Sequence, residues 1–126
     1  MFILVRKMNK LELKKFRNKI QRKYHIPGQS NLYPRKRNAV FISASNSLEH
    51  EKAKLEVCWH LRKLGRDFIT EAVCNKTGLR RDAVCLDSGT VFEVETDKRR
   101  AARFDGEDVV VIPLWKSVDI EMFIND

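Results

Sequence analysis

The sequence contains few of the residues that crosslink small secreted domains or bind soft metals. It has three cysteines, Cys58, Cys74 and Cys85, without a CxxC spacing, and three scattered histidines. An odd number of cysteines in or beside apolar segments does not make a disulfide framework, and no cluster has the spacing of a zinc site. We therefore expect the cysteines to be small core residues of a protein in a reducing compartment.

Long hydrophobic runs are also missing. No apolar segment of the 126 residues approaches the roughly 20 needed for a membrane-spanning helix. The opening MFILVRK is too short and has the wrong order of charge and apolar residues for a signal peptide. No internal repeat or low-complexity segment is evident, and the length is typical of one domain. These features predict a soluble intracellular protein without a membrane partner.

Positive charge, in contrast, is abundant and unevenly distributed. Residues 1–38 contain twelve lysines and arginines against one acid, a net charge of +11. The rest of the chain therefore carries −3, which gives the total of +8. This asymmetry favours a polyanionic partner at the basic end, although a solvated basic helix face gives the same count.

The basic end reads as an extension with one helix. Asn9 and Glu12 have the spacing of a capping box, and apolar residues then recur on one stripe of a helix over residues 9–24. The lysines of this helix, including Lys14 and Lys15, fall elsewhere around it. Residues 25–38 are rich in proline and glycine and read as a loop. We divide the chain into this extension, 1–38, and a core, 39–126.

The core alternates helical and strand patterns. A helix is predicted over residues 48–64, with Ser47 as its N-cap and Gly65 as its stop. Strands are predicted at 66–74, in a hairpin at 80–95, and in the continuous apolar run at 108–115. Segment 39–44 fits either a short strand or an extended entry, and short helices fit 98–103 and 117–126. This order predicts an α/β fold with a central mixed β-sheet flanked by helices, the 108–115 strand pairing parallel to a neighbour.

The predicted hairpin carries three carboxylates within its apolar strands. If Ser88 and Gly89 form a two-residue turn, Asp82 opposes Glu95, Val84 opposes Glu93, and all three acids share one face. Carboxylates held so closely repel one another unless a cation is present, and hard oxygen ligands suit Mg²⁺ or Mn²⁺. The alternative is a solvated face on which the glutamates pair with Lys98 or Arg99.

A fourth acid lies on the predicted 48–64 helix. Glu51 is three residues from Leu48 and four from Leu55, on the stripe that also includes Cys58, Trp59 and Leu61 and that we expect to face the core. A core-facing acid is costly unless it is paired or serves a site, so Glu51 is a candidate site residue. A first-turn acid near solvent, stabilised by the helix dipole, is the alternative. His50 is expected to point elsewhere, at the surface.

A helix with an inward Glu51, a strand, Asp82 in GLRRD, a hairpin turn and FEVET at 92–96 follow one another in this order. This arrangement resembles the PD-(D/E)xK nuclease superfamily over roughly residues 47–115. It is especially similar to the small archaeal and viral branch that includes Holliday junction resolvases. The resemblance implies a restriction-endonuclease-like core and metal-dependent hydrolysis of phosphodiester bonds in DNA.

The resemblance also implies roles for individual residues. Asp82 would be the first metal ligand, Glu93 the second, the backbone carbonyl of Val94 a third, and Glu51 the helix acid. Arg81 stands at the position of the name-giving proline, which in the superfamily is often another residue, and Glu95 stands where the catalytic lysine is usual. Some restriction endonucleases resemble this chain in carrying glutamate there, so Glu95 is a candidate proton acceptor or ligand of a second ion.

Basic residues near these acids are candidates for contacts with nucleic-acid phosphates. Arg99, Arg100 and Arg103 form a basic group after the second hairpin strand. The full candidate set for nucleic-acid binding is Arg80, Arg81, Lys76, Arg99, Arg100, Arg35, Lys36, Arg37, Lys14 and Lys15. Because one site cuts one strand and related small nucleases pair, a homodimer is a further expectation.

Two other functions fit the same residues. One is a nucleic-acid-binding protein that keeps the nuclease fold but has lost cleavage with the change to Glu95. The other is an assembly module, which would expose a large apolar patch around Trp115 and Phe123.

Overall fold

The computed structural model describes residues 8–28, 36–104 and 108–124. Its helices are α1 (Lys10–Gln21), α2 (Leu48–Lys63), α3 (Lys98–Ala101, continued by a 3₁₀ turn at Ala102–Phe104) and α4 (Glu121–Ile124). Its strands are β1 (Tyr24–His25), β2 (Phe68–Cys74), β3 (Arg80–Cys85), β4 (Val91–Glu95) and β5 (Val109–Pro113). The binding candidate Arg35 lies outside the described residues.

The five strands form one sheet in the order β1-β2-β3-β4-β5. Neighbours pair antiparallel except β4 and β5, which pair parallel from Val91↔Val109 to Glu95↔Pro113. The predicted mixed sheet with flanking helices is therefore confirmed, and so is the parallel pairing of the last strand.

The signals at the helix ends act as the sequence indicates. The side chain of Asn9 accepts a hydrogen bond from the Glu12 backbone N–H, and Ser47 accepts one from the His50 backbone N–H. Gly65 follows α2 with a φ of +75°, a conformation that glycine adopts without a Cβ clash. Each cap satisfies a backbone group that the helix itself leaves unpaired.

Alternate strand residues divide the core into two clusters on the two faces of the sheet. One face packs against α2 and α4 through side chains that include Phe68, Ala83, Phe92 and Ile112. The other packs against α1 and the segment after it through Ile69, Val84, Leu86 and Val91, with Ile20, Tyr24 and Ile26 opposite. Residues 8–28 thus contribute an outer strand and one covering layer to the same sheet.

The segment before α2 is not a strand. The Phe41 N–H donates to Thr70 Oγ1 at 2.9 Å, and the Thr70 hydroxyl donates to the Ala39 carbonyl at 2.9 Å. Bonds between a side chain and the backbone therefore hold this segment against β2, and the short-strand alternative for residues 39–44 is not the observed one.

Helix α2 buries a different stripe from the predicted one. Leu48, Leu55 and Trp59 are more than half exposed. The buried positions, one helical turn apart, are His50, Glu51, Ala53, Lys54, Val57, Cys58 and Leu61. The apolar residues of α2 predicted the wrong buried face, because charged side chains occupy the buried stripe near the N-terminus of the helix. Glu51 is nonetheless buried, as predicted.

Regular alternation breaks at Glu71 in the middle of β2. Glu71 has a φ of +50°, and the β2–β3 pairing passes from Thr70↔Ala83 to Ala72↔Arg81 without a pair between them. Ala72 consequently packs in the same cluster as Ile69 instead of the cluster that holds Phe68. A left-handed backbone at a non-glycine residue costs on the order of 1–2 kcal/mol, so its surroundings must hold it there.

Candidate functional site

A cleft of about 350 Å³ opens where the N-terminus of α2 meets β2, β3 and β4. Acids, arginines and hydroxyl groups predominate among its lining residues. The residues that line it are Ser43, Ser45, Asn46, Ser47, His50, Glu71, Arg80, Asp82, Glu93, Val94, Glu95, Thr96, Arg100 and Arg103. Three of the four predicted site acids, Asp82, Glu93 and Glu95, are therefore brought to one cavity.

The predicted two-residue hairpin turn is wrong. The pairs are Ala83↔Phe92 and Val84↔Val91, and residues 86–90 lie between the two strands. Asp87 accepts hydrogen bonds from Arg17 and from the Asp67 backbone N–H, which favours the longer loop. The shift is two residues, so Asp82 is set against Glu93 instead of Glu95.

Away from the turn, the pairing of β3 with β4 ends at Ala83↔Phe92. Asp82 Oδ2 accepts a 2.7 Å hydrogen bond from the Val94 N–H, so a side chain takes the place of a ladder bond. The same oxygen lies 3.3 Å from His50 Nε2 on α2. Asp82 is thus turned away from the face of Val84 and Leu86, where simple alternation predicted it.

Glu93 is the least satisfied acid of the cleft. It is buried, and its Oε1 has no hydrogen-bond partner within the part of the chain that the structure describes. Burial raises the pKa of Glu93 to about 8, and the negative charge of Asp82 adds to the rise. The Arg81 guanidinium lies 3.8 Å away and opposes it. This pair of carboxylates would gain from a cation between them.

The expectation that His50 lies at the surface is also wrong. Its ring is buried, with Nδ1 2.7 Å from Glu51 Oε2 and Nε2 facing Asp82. The contact with Asp82 raises the pKa of His50 to about 9, and Glu51 contributes to the rise. His50 is therefore a cation at neutral pH that links the helix to the hairpin.

Glu51 lies behind the cleft instead of lining it. Its carboxylate accepts from the Ser43 N–H at 2.6 Å and from Lys54 Nζ at 2.7 Å, and it contacts His50. Burial opposes ionisation, but these hydrogen bonds outweigh it and lower the pKa of Glu51 to about 2. Glu51 is thus an ionised acid whose oxygens are occupied by protein donors.

Two charged residues of the site were missed from sequence, Lys54 and Glu71. Lys54 is completely buried and donates to Phe41 O, to Glu51 and, at 3.3 Å, to Glu71. Glu71 also lies 3.5 Å from Arg80. The i,i+3 spacing of Glu51 and Lys54 is a signal in the sequence, but nothing in it marks the left-handed conformation of Glu71.

The predicted phosphate contacts have different surroundings. Arg80 and Arg100 line the cleft, Arg81 points inward to Glu93, and Arg99 is 92% exposed beside Asp97. Lys14, Lys15, Lys36 and Lys76 are exposed. Arg37 instead donates to Gln21 and Asn18 at 2.6 Å each, so part of the N-terminal charge has a structural role.

An assembly module would expose a large apolar patch around Trp115 and Phe123, but both side chains are only partly exposed. Phe123 packs against the core cluster under α2, and Trp115 is about one-third exposed. Exposed large apolar side chains lie instead on several helices, Leu48, Leu55 and Trp59 on α2, Leu11 on α1 and Met122 on α4.

The residues present fit a hard divalent cation by their chemistry. Asp82 and Glu93 supply adjacent carboxylate oxygens, and Glu93 Oε1 is a buried acceptor without a hydrogen-bond partner among the described residues. Across residues 8–28, 36–104 and 108–124, no three side chains already form a metal-binding group. The side chains of His50 and Arg81 lie beside the two acids, so they would share the carboxylate oxygens with a bound cation.

Comparison of the chain with family models, with curated proteins and with solved structures finds no match. Among the described residues, no helix has the length and apolarity to cross a membrane.

Proposed function

We propose that this protein is a divalent-metal-dependent DNA endonuclease of the PD-(D/E)xK kind and that the cleft is its active site. The observation that carries the proposal is the pairing of Asp82 with the buried Glu93, whose Oε1 has no hydrogen-bond partner among the described residues. Burial, with the negative charge of Asp82, raises the pKa of Glu93 to about 8. Enzymes concentrate such perturbed groups where chemistry takes place. The arginines at the rim of the same cleft suit a phosphodiester substrate.

Asp82 and Glu93 would hold Mg²⁺ or Mn²⁺, with the Val94 carbonyl as a further oxygen ligand. When bound, such an ion polarises a phosphate and lowers the pKa of a coordinated water. His50 orients Asp82 from the helix side, and Glu51 holds His50 in turn. Arg80 and Arg100 would bind the phosphates beside the scissile bond.

The exposed lysines Lys14 and Lys15 would add affinity for the backbone without sequence preference, and such affinity falls as salt rises. Cleavage of both strands of a duplex requires two active sites, so we include pairing of two copies in the proposal. An intracellular location accords with the three free cysteines, two of which are buried.

The second candidate is a nucleic-acid-binding protein without cleavage. It is favoured by the positively charged His50 beside Asp82, which already compensates one acid, and by Glu95 at the position where the superfamily has lysine. It would bind nucleic acid equally well with and without a divalent ion.

Cleavage assays separate the two candidates. Plasmid, linear and branched DNA, with an RNA duplex as a further substrate, are incubated with Mg²⁺ or Mn²⁺ or with EDTA. The nuclease should produce metal-dependent nicks. Asp82→Asn and Glu93→Gln should lower the rate by more than the roughly 10–100-fold that loss of an outer-shell partner costs.

The matched control is Glu56→Gln, which removes one exposed acid from α2 and should leave cleavage unchanged. Absence of metal-dependent cleavage on every substrate rejects the enzyme. If DNA binding persists in that case, the second candidate is the better description.

A further inference from the structure

Glu95 makes contacts that differ from those of a free general base. Its Oε1 accepts hydrogen bonds from the backbone N–H groups of Thr96 and Asp97, both at 3.0 Å. Its side chain is buried, and Oε2 faces Arg103 Nη2 at 3.8 Å. One oxygen therefore fixes the backbone that leaves β4, while the other faces a guanidinium.

That backbone leads directly into a short arginine-rich segment, residues 97–104, which we call the arginine strap. Asp97 begins it by accepting a hydrogen bond from the Arg99 N–H at 2.9 Å. Three of its side chains are largely exposed, those of Arg99, Arg100 and Arg103, at 92%, 68% and 64%. Of the three, Arg100 and Arg103 line the cleft and Arg99 does not.

The charge of the cleft gives the strap a function. Glu71, Asp82 and Glu95 line the cavity, and their carboxylates would repel a phosphate that enters it. Arg103 lies 3.8 Å from Glu95, beyond hydrogen-bond distance, and its side chain is mostly in solvent. An ion pair so loose and exposed is weak, so Arg103 can turn toward an arriving anion at little cost.

We propose that Glu95 is a positioning residue that fixes the arginine strap at the cleft, and that Arg103 contacts the phosphodiester backbone of a nucleic acid bound there. This inference rests on the proposed nucleic-acid substrate but not on cleavage. It gives the Glu95 side chain a structural role, because two backbone amides require an acceptor at that point.

Binding is measured with fluorescein-labelled 20-nucleotide single-stranded and duplex DNA by fluorescence anisotropy. EDTA is present throughout, and the salt concentration is varied. Arg103→Ala should weaken binding roughly tenfold, the effect of losing one charge-assisted hydrogen bond. The slope of log affinity against log salt should fall in magnitude by about 0.7–0.9 for one phosphate contact. Arg99→Ala, the matched control, removes the same charge from the same strap and should weaken binding less than about twofold.

Variants of Glu95 distinguish positioning from simple charge. Removal of an acid from a DNA-binding cleft should strengthen binding if only net charge matters. If Glu95 positions the strap, Glu95→Ala weakens binding, and its effect is not additive with that of Arg103→Ala. Glu95→Gln keeps an oxygen for the two amides and should bind more tightly than Glu95→Ala.

Hydrogen exchange checks the positioning role without nucleic acid. The amides of Thr96 and Asp97 should exchange faster in Glu95→Ala than in the wild type, whereas the amides of α2 should not change. Each variant is also checked for an unchanged thermal transition, so that unfolding is not mistaken for lost binding.

The outcomes separate this inference from the proposed function. Equal effects of Arg99→Ala and Arg103→Ala, or tighter binding by Glu95→Ala, overturn the inference while the cleft remains a candidate nuclease site. DNA binding that depends on Arg103 without any metal-dependent cleavage supports the inference and rejects the nuclease. A wild type that binds no nucleic acid in EDTA overturns the inference, and the cleavage assay with Mg²⁺ or Mn²⁺ then decides the proposed function by itself.

Discussion

The two ends of the β3–β4 hairpin have opposite character. At the turn end, Val84, Cys85 and Leu86 are fully buried, and Val84 pairs with Val91 in a regular ladder. At the open end, Asp82 and Glu93 are set against each other and the ladder is replaced by the bond from the Val94 N–H to Asp82. The same two strands thus pass from apolar core to charged cleft within a few residues.

The two ends are also held together by different forces. The turn end gains from removal of apolar surface from water, about 25 cal/mol per Å². At the open end, burial of Glu51, Lys54, Glu71 and Glu93 costs desolvation free energy, and the ion pairs of Lys54 offset part of that cost. Such locally unfavourable arrangements are expected where function is selected over stability. The contrast can be tested by changing one group at a time.

The largest effect is expected for Lys54→Met, beneath the open end. Methionine fills a similar volume but leaves Glu51 and Glu71 without the buried ammonium that lies 2.7 Å and 3.3 Å from them. Removal of one partner from a buried network costs about 3–5 kcal/mol of unfolding free energy. Urea denaturation at pH 7 measures the loss.

Lys52→Met is the control, because Lys52 lies on the same helix and is exposed. Its change should stay within about 0.5 kcal/mol. The difference between wild type and Lys54→Met should narrow in acid. Because the pKa of Glu51 is lowered in the folded protein, its ionised carboxylate stabilises the folded state at pH values above 4.5, the ordinary pKa of glutamate. This stabilisation is lost as the pH falls from 4.5 toward 2. A Lys54→Met protein as stable as the wild type would mean that the network does not support the cleft.

Glu93→Gln should have a smaller effect of the opposite sign. Burial raises the pKa of Glu93 to about 8, so the folded state binds a proton that the unfolded state releases near 4.5. Stability from this group is therefore complete below pH 4.5 and is lost as pH rises to 8. The Glu93→Gln protein has no carboxyl group to ionise at this position, so it does not lose this stability as the pH rises. At pH 8.5 it should be more stable than the wild type by roughly 1–3 kcal/mol, the cost of a buried unsatisfied group.

Urea denaturation at pH 4 and pH 8.5 tests this sign. The two proteins should differ little at pH 4, where Glu93 is protonated in both folded and unfolded chains. Glu56→Gln, on the exposed side of α2, should show no such pH-dependent gain. If Glu93→Gln is destabilising at both pH values, the Glu93 carboxylate is compensated in the free protein and the open end is not a strained site.

The sequence predicted most of what local chemistry determines. The caps at Asn9 and Ser47, the stop at Gly65 and the apolar run of β5 located their elements to within a few residues. The prediction that Asp82, Glu93 and Glu95 lie close together also agrees with the cavity that all three line, although Asp82 reaches it by turning away from the face that alternation assigned to it. Strand β1 escaped prediction because its two residues are too short for any periodicity to be visible.

The rest depended on contacts between distant segments. The loop after β3 is longer than predicted because Asp87 bonds Arg17 of α1, seventy positions away in the chain. The buried face of α2 was misidentified because charged groups from β2 and β3 make a charged stripe tolerable there. Glu71 was missed because its left-handed backbone follows from its surroundings and not from its residue type.

The smallest effect is expected at the turn end, for Gly89→Ala. Gly89 has a φ of +77°, and an added Cβ would lie 3.1 Å from Ile20 Cδ1. The left-handed conformation alone costs alanine about 1 kcal/mol, and the contact with Ile20 should add a few tenths. Urea denaturation at pH 7 measures the sum.

Gly78→Ala is the matched control. Gly78 has a φ of +73° in the β2–β3 turn, and its added Cβ would meet nothing within 4 Å. The difference between the two alanine variants therefore isolates the packing of α1 on the turn end. In an Ile20→Val background, which lacks the Cδ1 methyl, this difference should disappear. If the difference persists in that background, the contact between Ile20 and position 89 does not explain it, and the packing of α1 does not stabilise the turn end.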